Sequence, residues 1–149
     1  MKISNSFNIS ASALTAQRLR MDVISSNIAN AETTRAQVVD GKAVPYRRKM
    51  VVMAPMKTEF GQALNSALDN SSASQGVKVT QIKEDTAPFK PVYNPTHPDA
   101  DSEGYVYMPN VDMLKEMVDV MSASRSYEAN VTALNASKAM MMKALQIGK

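Results

Sequence analysis

All seven prolines of this 149-residue chain fall between Pro45 and Pro109, and the flanking stretches, 1–44 and 110–149, contain none. A proline inside a helix removes a backbone donor and clashes with the preceding turn, so long helices are open to the flanks and closed to the centre. That centre also holds six of the eight aromatic residues and three of the five glycines, as strands and turns require. The expected fold class is mainly α with a small β insert. Residues 1–34 form an N-terminal helical segment, 35–109 a central extended or β-rich connector, and 110–149 a C-terminal helical segment.

Hydrophobic spacing supports both helices. Phe7, Leu14, Met21 and Ile28 recur every seven residues, with Ile3, Ala11 and Ile24 in the same stripe, which predicts a helix from near Asn5 to about Ala31. At 1.5 Å per residue it is roughly 40 Å long. In the last segment Met113, Val120, Tyr127, Leu134 and Met141 form one row, and Met117, Val131 and Leu145 a second, interrupted by Ser124 and Lys138. Pro109 and Asn110 supply a stop and an N-cap, Asp112 and Glu116 suit the first turns, and Gly148 follows the end. The expected helix is about 36 residues and roughly 55 Å long, more than a 16.2 kDa globule needs.

Both helices are poor in charge. Residues 3–31 carry only Arg18, Arg20 and Asp22, and residues 120–137 only Arg125 and Glu128; the rest of their surface is largely Ala, Ser, Thr and Asn. Small residues let helices approach closely, and Asn or Ser bonds across a seam without burying a charge. Such helices suit contact on most sides, which two helices of one chain cannot give each other. Leu14, Met21, Ile28, Met117, Val120, Tyr127, Val131, Leu134 and Met141 are the expected packing residues between subunits. A plain antiparallel hairpin capped by a β unit is the simpler alternative. Membrane insertion is not expected, because neither end holds ~20 consecutive apolar residues.

Composition narrows the chemistry. Without cysteine there are no disulfides, thiolate metal sites or Cys nucleophiles. One histidine, His97, cannot build a two-His site within one subunit. Lys and Arg exceed Asp and Glu by 17 to 14, a net charge of +3, too weak an excess for a dedicated nucleic-acid binder. Neither a P-loop, a Ser–His–Asp order nor a Gly-rich fingerprint is present, so neither an enzyme nor a cofactor is expected. Lys2 is followed by Ile-Ser-Asn-Ser-Phe-Asn rather than the apolar core of a cleaved signal peptide.

In the centre, Tyr46 to Met53, Gly76 to Ile82 and Tyr105 to Met108 read as strands. Gln62 to Gln75 reads as a loop with a short helical turn, ordered on binding. Arg47-Arg48-Lys49 is read as a solvated strand edge that discourages wrong pairing. His97, Asp99 and Asp101 could touch a hard cation, but the prolines around them favour a stiff polyproline-like connector, Tyr93 to Pro98, that fixes the approach to Gly104. No metal site is expected.

Three segments carry a family resemblance. Ser26 to Thr34, SNIANAETT, resembles the Asn-Leu/Ile-Ala-Asn-x-x-Thr signature near the N-termini of bacterial flagellar rod and hook proteins, here Asn27, Ala29, Asn30 and Thr33. Residues 116–130, EMVDVMSASRSYEAN, resemble the family's C-terminal helix, with Tyr127, Glu128 and Asn130. Between them, His97-Pro98-Asp99-Ala100-Asp101 and Gly104-Tyr105 through Pro109-Asn110-Val111 are similar to the segment that marks a proximal-rod subunit. The resemblance implies terminal helices packed as an antiparallel coiled coil inside a helical tube, with the insert outside. It implies export without cleavage through the flagellum-specific type III apparatus, and a place in the periplasmic rod that transmits torque. The implied partners are copies of the chain, other proximal and distal rod proteins, and adaptors at the rod base and MS ring. Asn27 and Asn30, spaced i,i+3, are expected to satisfy backbone groups where the first helix turns into the connector. A rival reading is an adaptor whose Met-rich seam (Met113, Met117, Met121, Met140, Met141, Met142) captures a partner helix.

Overall fold

A computed structural model describes residues 2–39, 42–56 and 76–147. Helix α1 (Lys2–Ala29) is followed by a hairpin of β1 (Gln37–Val39) and β2 (Lys42–Val44), then β3 (Lys49–Pro55), β4 (Val77–Glu84), β5 (Lys90–Tyr93), β6 (Tyr105–Met108) and the 35-residue helix α2 (Met113–Ile147). The strands pair two by two, β1 with β2, β3 with β4, and β5 with β6. Two long helices with small antiparallel hairpins make the fold mainly helical with a β insert. Among the described residues no helix is long and apolar enough to cross a membrane.

The helix start was misplaced by two residues. Asp112, not Asn110, caps α2: its Oδ1 accepts the Leu114 N–H at 3.1 Å and lies 3.5 Å from the Lys115 N, satisfying otherwise orphaned donors of the first turn. The Asn110 side chain is used elsewhere, accepting the Arg48 N–H at 2.8 Å and donating to the Ala87 carbonyl at 3.1 Å. The expected strand at Tyr46 begins instead at Lys49, because Tyr46 donates its N–H to the Thr33 carbonyl and Arg48 to the Asn110 side chain. The β1–β2 hairpin and β5 carried too little alternation to read from sequence. The expected loop at Gln62 to Gln75 and Gly148 lie outside the described residues.

The connector at 93–101 is a run of turns, not a polyproline-like rod. His97 donates its N–H to the Asn94 carbonyl, Ala100 to that of His97, and Gly104 to that of Asp101, internal bonds that a polyproline helix lacks. Gly104 sits at φ +79°, where a side chain is strained. Asn94 donates its N–H to the Gly104 carbonyl at 2.9 Å, which brings β5 and β6 into register from Tyr93 opposite Tyr105 to Lys90 opposite Met108.

The chain divides into two compact units. The first comprises Met1–Leu19, Val52–Gln81 and Ala123–Lys149, and the second Arg20–Val51 and Ile82–Ser122. Buried described side chains in the first are small: Ser10, Ala16, Ala123 and Ser137. Gly76 lies against Ser12, whose Oγ accepts the Val77 N–H at 3.1 Å. The second unit buries Val23, Ile24, Tyr46, Val106 and Val111 together with Asn27 and Glu116.

Candidate functional site

The second unit is held by a polar lock centred on Arg48 and Glu116. Glu116 is 0% exposed, and a buried carboxylate is tolerated only when paired and hydrogen-bonded. Arg48 supplies the charge, its Nε donating to Glu116 Oε1 at 2.6 Å. Asn27 Nδ2 donates to Glu116 Oε2 at 3.0 Å and to the Lys49 carbonyl at 2.9 Å. Asn27 Oδ1 accepts the Lys49 N–H and the Tyr46 hydroxyl, both at 3.0 Å. All four hydrogen-bonding positions of the Asn27 amide are thereby used. The guanidinium also faces Asp85 at 3.5 Å and Asp119 at 3.6 Å, and Arg20 reaches Asp119 at 3.2 Å.

The lock ties the end of α1, the strap before β3, the turn after β4 and the start of α2. Burial alone would lower the Arg48 pKa, but the bonds and charges of Glu116 and Asp85 outweigh it and hold the guanidinium above its ordinary value. Asp85 is held below the usual carboxylate range, first by the Ala87 N–H and, against burial, which pushes the other way, by Arg48 and Lys115.

Several sequence readings change here. Arg47-Arg48-Lys49 is not a solvated edge: the Arg48 side chain is 12% exposed, and Arg47 lies 4.6 Å over the Phe89 ring while donating to the Asp85 carbonyl. Only Lys49 faces solvent. Glu116, read only as an acid suited to the first turns of the helix, is the centre of the lock. The missed signal was its place at the head of a seven-residue row, Glu116, Ala123, Asn130 and Ser137, of which all but half-buried Asn130 are buried. Asn27 satisfies backbone groups of the strap rather than of the helix end. Asn30 stays local, donating to the Ser26 carbonyl and accepting from Thr33 Oγ1.

The 97–101 segment binds the chain to itself. His97 Nδ1 accepts the Asp99 N–H at 3.1 Å, and Asp99 takes the Thr34 hydroxyl and the Arg35 guanidinium. Those two bonds, Arg35 first, hold the Asp99 carboxyl below its usual range. Asp101 accepts the Ser102 N–H. Among the described residues no cluster is arranged to hold a metal ion. Pro98 is exposed, Pro109 is buried, and Tyr105 is exposed with its ring edge-on to Tyr93 at 5.4 Å.

Of the expected packing residues, Leu14, Met21, Ile28, Val120, Tyr127, Val131 and Leu134 are half-buried, and Met117 and Met141 are exposed. The buried row of α2 is headed by Glu116 and Ala123. On the opposite side of the helix, by its 100° repeat, lie Leu114 (77% exposed), Val118 (60%) and Met121 (53%). Helix α2 thus carries a buried row on one face and an exposed apolar row on the opposite one. The described residues at its C-terminal end, Met140, Met141, Met142 and Leu145, are exposed too.

Comparison with known proteins agrees on one family. Residues 7–37 match the family model described as flagella basal body rod protein, and residues 102–147 the one described as flagellar basal body rod FlgEFG protein C-terminal. The chain is 61% identical to the flagellar basal-body rod protein FlgC of Bacillus subtilis (strain 168), with each chain covered over 100% of its length. It is 48% identical to that of Escherichia coli O6:H1, again over 100% of both chains. The protein of the same name from Borreliella burgdorferi is 47% identical over 99% of this chain and 98% of its own.

Proposed function

We propose, from the premise that the chain belongs to the FlgC family of flagellar basal-body rod proteins, that this structural rod subunit builds the proximal rod by packing α1 and α2 as an antiparallel coiled coil against neighbouring subunits. The carrying observation is the second apolar face of α2, Leu114, Val118 and Met121, on the side away from Glu116 and Ala123. Covering three such side chains recovers roughly 1.5–3 kcal/mol each. A single chain has no third helix among its described residues to supply that cover.

In this reading the terminal helices form the core of the tube and line the export channel, while the hairpins lie outside. The subunit leaves the cytoplasm uncleaved through the flagellum-specific type III export apparatus and joins the rod in the periplasm, between the adaptors at the MS-ring side and the other rod proteins. Torque passes along the helices. The lock at Arg48 and Glu116 braces the point where both helices meet the insert. Deleting the gene should leave cells without hook or filament, and wild-type filaments on the deletion strain would reject the reading. The adaptor alternative has no observation of its own in its favour, since the exposed methionines of α2 serve the rod reading equally.

A further inference from the structure

Within the charge-poor stretches 3–31 and 120–137, four charges find no partner among the described residues. Arg20 is consumed by Asp119, whereas Arg18 and Asp22 on α1 and Arg125 and Glu128 on α2 are exposed and make no ion pair or side-chain hydrogen bond to any described residue. Helical repeat alone puts each pair on one face of an unbroken helix. Asp22 shares its face with Thr15, Ser25, Ser26 and Ala29, all exposed and small. Arg125 shares its face with Val118, Met121 and Thr132. One face is small and polar, the other carries large apolar groups, and on both the basic residue precedes the acidic one along the chain, so opposite charges meet only when the two helices run antiparallel.

We propose that the outward face of α1 in one copy of this chain docks antiparallel on the outward face of α2 in a second copy, with Asp22 opposite Arg125 and Arg18 opposite Glu128. The proposal rests on the rod-subunit reading and names the surface through which that assembly proceeds. Setting Asp22 against Arg125 fixes everything else in the register. One turn away Arg18 meets Glu128, and two turns away in one direction Thr15 meets Thr132. Two turns the other way Ala29 meets Val118, and Ser25 and Ser26 lie under Met121. Small side chains beneath large ones allow the close approach that helix packing needs. The apolar row supplies the affinity, and the charges set partner and register, since exposed ion pairs contribute little energy of their own.

A second copy is the fitting occupant because the two faces complement each other and each copy carries both. Such a contact is heterologous, and a heterologous contact that does not close into a ring propagates as a helix.

Two readouts test this in a strain lacking its own copy. Wild-type chain restores swarming, Asp22→Arg and Arg125→Asp singly reduce the swarm diameter at least tenfold, and the double variant D22R/R125D brings it back to more than half of wild type. Doubles no better than the singles, beside a wild-type chain that rescues, overturn the docking and leave the rod reading standing. A deletion strain that swarms without complementation removes both. Because the chain has no cysteine, differently tagged Thr15→Cys and Thr132→Cys chains can be co-expressed and basal bodies oxidised. A disulfide dimer carrying both tags is expected only in the mixed sample. No dimer, or dimers in either single-variant sample, contradicts the register.

Discussion

The two units of this chain are stabilised by opposite means. The second buries a carboxylate, a guanidinium, an amide and a phenol in one satisfied network around Glu116, Arg48, Asn27 and Tyr46. The first buries Ser10, Ala16, Ala123 and Ser137, and the one buried side-chain polar atom without a partner among the described residues, Gln17 Oε1, lies there. A network of this kind fixes geometry within the chain. A smooth seam of small residues fixes little by itself and welcomes further helices. In the proposed reading the division of labour is between a braced unit and helix ends that neighbouring subunits complete.

The largest expected effect is on the brace. Glu116→Ala leaves the Arg48 guanidinium only its longer contacts to Asp85 and Asp119 and takes one of the two acceptors of Asn27 Nδ2, and chemical denaturation of the purified chain should show a loss of roughly 3 kcal/mol, the low end for breaking a buried pair. The double variant E116L/R48M, which removes both charges, should recover most of it, as apolar replacement of a buried pair often does. Asn27→Ala removes four hydrogen bonds and leaves the Lys49 backbone unsatisfied, a loss of about 2–3 kcal/mol in the same assay. Gly104→Ala forces a side chain into the left-handed region 3.0 Å from the Tyr93 ring, which costs about 1–2 kcal/mol.

In the first unit the effects shrink. An added Cβ at Gly76 would meet Ser12 Oγ, so Gly76→Ala displaces that hydroxyl from the Val77 N–H and costs about 1 kcal/mol. Adding Ser12→Ala should relieve the clash, and equal instability of the double would break the comparison. The smallest effect is ionic. Asp85 and Asp99 have depressed pKa values in the folded chain, so their contribution is present above the unfolded carboxylate value, about 3.9, and is lost as pH falls through the lower folded value. Midpoints followed from pH 6 to pH 2 should drop below about pH 4, and Asp85→Asn should flatten that drop.

Much of this was legible in the residues. Proline placement and the seven-residue rows located both helices to within a few residues, because those signals are local. The family motifs covered Asn27 and Glu116 but neither Arg48 nor Tyr46, and did not say that the first two touch. Their meeting depends on a strap at 46–49 whose backbone bonds go to Thr33, Asn27 and Asn110, and no local pattern announces a contact between residues 27, 48 and 116. Arg48 was misread for the same reason: a basic triplet looks solvated until an acid from another element is brought to it. Hairpins as short as β1–β2 carry three residues a side, too few for alternation to register.

Amide hydrogen exchange on the isolated full-length chain tests the central claim most directly. Slow exchange should be confined to the second unit, around 20–51 and 82–122, with residues 2–19 and 123–147 exchanging quickly until the chain assembles. Equal protection along both helices in the lone chain would contradict it.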